Sequence, residues 1–178
     1  MRIVAGSARG RRLEAPAGGA TRPTSDKVRG AVFNVLGQFF EGGAVLDLYA
    51  GTGAMALEAL SRGCERATCV ESGRGAVLAL SRNAEACGFA DRIEVRRETV
   101  EVALGRLRPG SFDLAFLDPP YAVDVGEPMG RLDALLRPGA RVVAEHDRRR
   151  PPPARLGRLE LVDRRGYGDT GISIYRRE

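Results

Sequence analysis

Between residues 44 and 145 the chain alternates strand-like and helix-like runs, and this alternation limits the fold more than any other feature. Strand patterns cover 44–49, 67–71, 93–96, 112–117 and 140–145, with helical patterns at about 54–62, 74–87, 99–107 and 127–136 between them. A strand, a helix and a second strand return the chain to the same edge, so successive strands lie parallel and helices cover both faces of the sheet. The run Phe112-Asp113-Leu114-Ala115-Phe116-Leu117 is apolar enough for a strand buried on both sides.

The two ends depart from this period. Residues 2–5 and 11–15 flank a Gly-Ser-Ala-Arg-Gly turn and read as a short hairpin, followed by a Gly/Pro/Thr loop at 16–24. Ser25 or Asp26 is a suitable N-cap. Val28, Ala31, Val32, Val35, Leu36, Phe39 and Phe40 then recur at helical spacing, up to a stop at Gly42-Gly43. Beyond an Arg- and Pro-rich loop at 148–153, residues 158–162 and 172–175 alternate polar and apolar side chains, as a closing antiparallel hairpin would. With 178 residues and no linker, one domain is expected.

The first strand runs into Asp47-Leu48-Tyr49-Ala50-Gly51-Thr52-Gly53, where Gly51 and Gly53 allow a tight turn and close approach of a ligand. Asp47 stands at the mouth of the crevice where a dinucleotide would put its pyrophosphate. A carboxylate there repels phosphate but suits a ligand bearing an ammonium and a sulfonium, which points to S-adenosylmethionine and away from a nicotinamide oxidoreductase. Glu71 ends the second strand, 18 residues after Gly53, where an acid accepts hydrogen bonds from ribose hydroxyls. Ala50, Thr52 and Ser72 border these contacts. Glu98 and Thr99 follow the third strand, where the adenine would lie, although Glu94, Glu98 and Glu101 also read as a solvated face.

The fourth strand ends in Asp118-Pro119-Pro120-Tyr121. Strands one and four are neighbours at the switch point of such a sheet, which puts this loop across the crevice from the glycine turn. Two prolines fix φ and remove two N–H donors, leaving carbonyls free to accept. If Asp118 and the Pro119 carbonyl each accept one N–H of an exocyclic amine, its lone pair is left facing a methyl group, while Tyr121 stacks on the base. Such stacking is worth roughly 1–3 kcal/mol. Amine methylation on guanine, adenine N6 or cytosine N4 is compatible with this loop; a non-catalytic RNA-binding module leaves it without a purpose.

Charge points to the partner. The first 30 residues hold seven basic side chains against two acidic ones, so the net charge of +5 sits wholly at that end. A polyanion is drawn to such a cluster because phosphate neutralisation releases counterions. Arg9, Arg11, Arg12, Arg22, Thr24 and Lys27 are the nucleic-acid candidates, on a basic extension (1–41) preceding a donor-binding core (42–178). The three cysteines form no CxxC pair and cannot complete a zinc set with the single His146, so no metal is expected and a reduced, cytoplasmic setting fits. No apolar run approaches the roughly 18 residues of a membrane helix.

Several segments resemble the bacterial RsmD family: Arg2-Ile-Val-Ala-Gly-Ser, Arg9-Gly-Arg-Arg-Leu13, residues 21–29, Phe33-Asn34, Leu46 through Gly53, residues 57–63, Phe116 through Tyr121, Ala144-Glu145-His146 and Tyr167-Gly168-Asp169-Thr170. The resemblance implies a Rossmann-like class I methyltransferase sheet, mostly parallel, with a C-terminal antiparallel hairpin and an N-terminal hairpin-plus-helix extension. It also implies S-adenosylmethionine-dependent methylation of guanine N2 in 16S rRNA, within an assembled or assembling small ribosomal subunit, by a monomer. Gly30, Ala56 and Glu98 depart from the family pattern; Gly30 costs its helix about 1 kcal/mol against Ala.

Overall fold

A computed structural model describes residues 1–16, 25–120 and 123–178. Its strands are β1 (Ala44–Leu48), β2 (Arg66–Val70), β3 (Ile93–Arg96), β4 (Phe112–Leu117), β5 (Leu136–Asp147), β6 (Arg155–Leu156), β7 (Leu159–Tyr167) and β8 (Thr170–Arg177). The helices are α1 (Asp26–Leu36), α2 (Ala54–Ser61), α3 (Arg74–Cys87), α4 (Val100–Leu104) and α5 (Gly126–Leu132). All the strands join one sheet in the order β3-β2-β1-β4-β5-β8-β7-β6. From β3 through β5 the pairings are parallel; β8, β7 and β6 add antiparallel pairings at one edge. The sheet is therefore Rossmann-like, with the closing hairpin the sequence pattern suggests.

Every residue of β1 is buried, as expected of a central strand covered on both faces. Its side chains alternate between two cores. Val45 faces a cluster with Val32, Phe33, Leu57, Leu60, Leu80 and Phe116, which also takes in Ile3, Ala8 and Leu13 of the N-terminal segment. Leu46 and Leu48 face the other, with Val100, Leu104, Met129, Leu132 and Tyr175. The N-terminal segment and α1 thus complete the face that α2 and α3 cover.

The structure corrects several boundaries. The first helix stops at Leu36, because Gly37 takes φ +108° and leaves the helix. Phe39 is consequently exposed, while Phe40 turns back to donate its N–H to the Arg62 carbonyl and to meet Phe33 edge-on at 6.1 Å. The N-terminal hairpin has one ladder bridge, Arg2 with Arg12, supported by Ile3 N–H to the Arg11 carbonyl (3.0 Å). α4 ends at Leu104, and β5 begins directly after a 3-10 turn at Asp133–Leu135, earlier than its apolar run suggests. The closing hairpin is longer than its alternating core, because β7 and β8 pair up to Tyr167 and Thr170.

Candidate active site

The parallel strands β1 to β5 all end at one edge of the sheet, and the sequence-predicted donor residues gather there. Tyr49 leaves β1 at φ +62°, a left-handed conformation rare for a bulky residue. The turn is tied by Ala50 N–H to the Val70 carbonyl (3.0 Å) and Gly53 N–H to the Ala50 carbonyl (2.8 Å). Gly53 is itself left-handed at φ +78°, and a Cβ there would lie 2.9 Å from Leu80, so glycine is required on two counts. At Gly51 a Cβ would meet nothing within 4 Å, so the backbone presents an open face.

The carboxylates around this turn differ in environment. Asp47 is buried, and its Oδ2 accepts the Ala56 N–H at 3.1 Å, satisfying one of the orphan donors at the start of α2. Burial raises its pKa to about 7, Glu71 adds to the rise, and the Ala56 N–H opposes it. Glu71 lies one residue beyond β2. Its Oε2 accepts Gly51 N–H at 2.9 Å and its Oε1 accepts Gly73 N–H at 2.7 Å. Each oxygen keeps a lone pair for a further donor. Thr52 is buried, and its carbonyl accepts from Asn83, whereas Ser72 is exposed.

Glu98 differs from the simple adenine acceptor expected. It pairs with Arg96 at 3.3 Å and Arg106 at 3.1 Å, and Glu94, within β3, also pairs with Arg96 at 2.8 Å, so both of these acids are engaged by arginines. Thr99 is exposed at the N-cap of α4 without a side-chain capping bond.

β4 pairs with β1 in parallel, aligning Leu48 with Leu117, so Asp118 leaves the sheet beside the glycine turn. Asp118 is half-buried, Pro119 buried and Pro120 exposed. Tyr121 lies outside the described residues. The two prolines line one wall of a cleft of about 330 Å3. Its far side is formed by the end of β5 and the loop after it: Glu145, His146, Arg150 and Pro151 to Pro153. The sequence pattern marks this loop only as a surface segment. Its position beside the Asp118 loop follows from β5 pairing with β4, a neighbour relation that the strand order alone implies.

Buried polar contacts hold that far wall. His146 Nε2 meets Ser173 Oγ at 2.8 Å and its Nδ1 meets the Asp147 carbonyl oxygen at 2.9 Å. Burial, with Arg164 nearby, lowers the His146 pKa, while the Asp147 carbonyl opposes this. Arg164 donates to Ser173 Oγ at 2.9 Å and to the Pro152 carbonyl, and Tyr175 Oη donates to the Pro153 carbonyl at 2.8 Å. Gly171 faces the imidazole so closely that a Cβ there would lie 2.3 Å from His146 Cε1.

The basic N-terminal residues lie elsewhere. Ser7 N–H donates to the Ser61 carbonyl at 2.8 Å and Ala8 N–H to Ser61 Oγ at 2.9 Å, at the end of α2 remote from the glycine turn. Arg11 is within electrostatic reach of Cys87, the last residue of α3. α3 has 14 residues, so its two ends lie about 21 Å apart. Arg9, Arg11, Arg12 and Lys27 are exposed; Arg22 and Thr24 lie outside the described residues. Arg29, counted with the basic excess, is fully buried and so is not presented to a polyanion: it pairs with Asp26 at 2.8 Å and with Glu58 at 3.5 Å.

Among the described residues no group of three or more His, Cys, Asp or Glu side chains could hold a metal ion. The cysteines are free; burial pushes the Cys64 thiol up to about 12 and Cys69 well above its usual range. No described helix is long and apolar enough to cross a membrane.

Comparison with known proteins agrees with this architecture. The model of the family described as Conserved hypothetical protein 95 matches residues 1–176. A Bacillus subtilis (strain 168) protein named "Putative rRNA methyltransferase YlbH" is 38% identical over 182 residues, covering 99% of both chains. Ribosomal RNA small subunit methyltransferase D of Haemophilus influenzae is 29% identical, over 85% of this chain and 81% of its own. The solved structure of a Thermus thermophilus protein, TTHA0928, superposes with a TM-score of 0.82 at 34% identity, covering 98% of each chain. The sheet order, the glycine turn and the Asp-Pro-Pro loop occur together in a chain that matches these relatives along its length: it belongs to the RsmD family, with the class I methyltransferase fold.

Proposed function

We propose that the chain is an S-adenosylmethionine-dependent rRNA methyltransferase that methylates the exocyclic N2 amine of a guanine in 16S rRNA, in the assembled or assembling small ribosomal subunit. The observation that carries this reading is the Asp118-Pro119-Pro120 loop, set beside the glycine turn, whose two prolines line a cleft of about 330 Å3. The names of the B. subtilis and H. influenzae relatives support rRNA as the substrate class.

The residues fit the methyl donor. Gly51 leaves its backbone face open, Glu71 has acceptor capacity for two ribose hydroxyls, and Asp47 is a buried carboxyl in want of a positive partner. When bound, S-adenosylmethionine supplies a methyl activated by the sulfonium charge. Ala50 and Thr52 complete the turn beneath it, and Ser72 and Thr99 edge the crevice. Glu98, engaged by Arg96 and Arg106, shapes the adenine end through these ion pairs.

Asp118 and the Pro119 carbonyl accept the two N–H bonds of the amine, directing its lone pair at the methyl carbon. With the donor in place, the N–C bond would form as the methyl–sulfonium bond breaks to leave a neutral thioether, and Asp118 would take, along its hydrogen bond, the proton that the alkylated amine gives up. Pro120 and Tyr121 hold the base plane. Positioning of this kind can supply about 7–11 kcal/mol of the barrier. The test is transfer of labelled methyl to under-methylated small subunits, free 16S rRNA and DNA in parallel, with nucleoside identification. N2-methylguanosine in RNA is expected; label in adenosine, in cytidine or only in DNA would overturn the target.

A further inference from the structure

We infer that Arg150, which lines the cleft, and its chain neighbour Arg149 bind the phosphates flanking the nucleotide that enters it, as a second RNA-contact surface distinct from the N-terminal arginines. The inference rests on the rRNA-methyltransferase reading above. The loop after β5 has a constrained backbone and weakly held charge. Asp147 Oδ1 accepts Arg149 N–H at 2.8 Å, and the Asp147 carbonyl accepts Arg150 N–H at 2.9 Å. Arg148 N–H donates to the Asp169 carbonyl at 2.9 Å, and its side chain lies against Gly166, where a Cβ would fall 2.8 Å from its Nε.

Three prolines follow, two of them pinned through their carbonyls by Arg164 and Tyr175. Beyond this fixed frame the side chains of Arg149 and Arg150 are 83% and 76% exposed. Each approaches one carboxylate, Asp169 or Asp147, at 3.8 Å. Exposed pairs at that distance hold a side chain weakly and yield readily to a stronger anion. Arg150 lines the same cleft as Pro119 and Pro120, so a base seated there brings its own phosphates to this rim. The arginines of the N-terminal hairpin sit near the far ends of α2 and α3, about 21 Å away along α3 from its start beside the glycine turn. They cannot hold those same phosphates. Guanidinium on a rigid backbone is the expected device for positioning a nucleotide without reading its base.

The test compares wild type, Arg149→Gln/Arg150→Gln and Arg149→Lys/Arg150→Lys for binding to under-methylated 16S rRNA between about 50 and 200 mM salt, with S-adenosylmethionine affinity and thermal melting as controls. Removing two phosphate contacts flattens the log–log salt slope by about 1.4–1.8, so wild type should lose about 7- to 12-fold more affinity across that range than the Gln variant. The Lys variant should keep most of the slope, and the controls should not move. A Gln variant with the wild-type slope overturns the inference, as does flattening confined to Arg9→Gln/Arg11→Gln/Arg12→Gln. If wild type places no methyl in RNA, the underlying reading fails with it.

Discussion

Glu58 and Glu71 are each fixed by two backbone N–H groups, yet they serve opposite ends of the molecule. Glu58, on α2, accepts from Val4 at 2.7 Å and Ala5 at 3.0 Å, and Glu71, beyond β2, accepts from Gly51 and Gly73. Glu58 is fully buried and meets two guanidinium groups, Arg62 at 2.7 Å and Arg29 at 3.5 Å. Arg62 in turn lies over the Phe33 ring at 4.7 Å. Glu71 is half-buried and makes no ion pair among the described residues. A carboxylate compensated on every side can only hold structure; one that orders a loop while keeping lone pairs and negative charge in hand can receive a ligand. The same type of side chain therefore ties the N-terminal segment to α2 in one place and orders the glycine turn, where the donor is proposed to bind, in the other.

The largest expected effect comes from breaking the structural member. Glu58→Ala leaves Arg29 and Arg62 buried without their shared partner and should cost about 3–5 kcal/mol. Denaturant unfolding reads this directly, and turnover per folded molecule should survive; a selective loss of turnover would erase the distinction between the two carboxylates. Asp118→Ala should do the reverse, lowering methyl transfer on the order of 10²–10³-fold, about 2.7–4 kcal/mol, while donor binding persists. Isothermal titration beside single-turnover transfer separates the two.

Glu71→Gln sharpens the contrast further. An amide retains one acceptor but turns a donor toward a backbone N–H, so donor affinity should weaken about tenfold, with unfolding free energy changed far less than in Glu58→Ala. Asp47 adds a pH signature. Its pKa, raised by burial to about 7 from 3.8, means the protonated form stabilises the fold at low pH, and that contribution is lost as pH rises through about 7. Binding of a cationic donor has the opposite sign: affinity should climb by up to about tenfold per pH unit until about pH 7 and then level off. Asp47→Asn should flatten the profile; an unchanged profile would remove Asp47 from donor binding. The smallest effect is at Gly30, where a Cβ would come no nearer than 4.0 Å to Val4. Gly30→Ala should therefore stabilise by about 0.5–1 kcal/mol, with no change in transfer.

Much of the parallel core was legible because a buried strand is written as a continuous apolar run and its helices as a 3.6-residue period. The glycine turn and the Asp118 loop were legible for the same reason, since parallel strands place the residues that follow them at one edge. Long-range partnerships were not. Arg29 stands three, four and seven residues before Val32, Phe33 and Leu36, on the buried face of α1, but the groups that compensate its charge there, Glu58 of α2 and the Arg2 carbonyl, are remote in sequence. The stop at Gly37 was masked because Phe39 and Phe40 continue the apolar spacing past it, although a glycine of positive φ, as here, is a common helix C-terminus. The strand order places the proline loop beside the Asp118 loop, but its rigidity was not legible because it comes from Arg164 and Tyr175, on β7 and β8 further along the chain.

The most direct test of the account is to map modified nucleosides in 16S rRNA from cells lacking this chain, complemented with wild type or with Asp118→Ala at matched folded levels. The account predicts that wild type restores one N2-methylguanosine and that Asp118→Ala does not. Restoration by Asp118→Ala, or a methyl restored on another base, would contradict it.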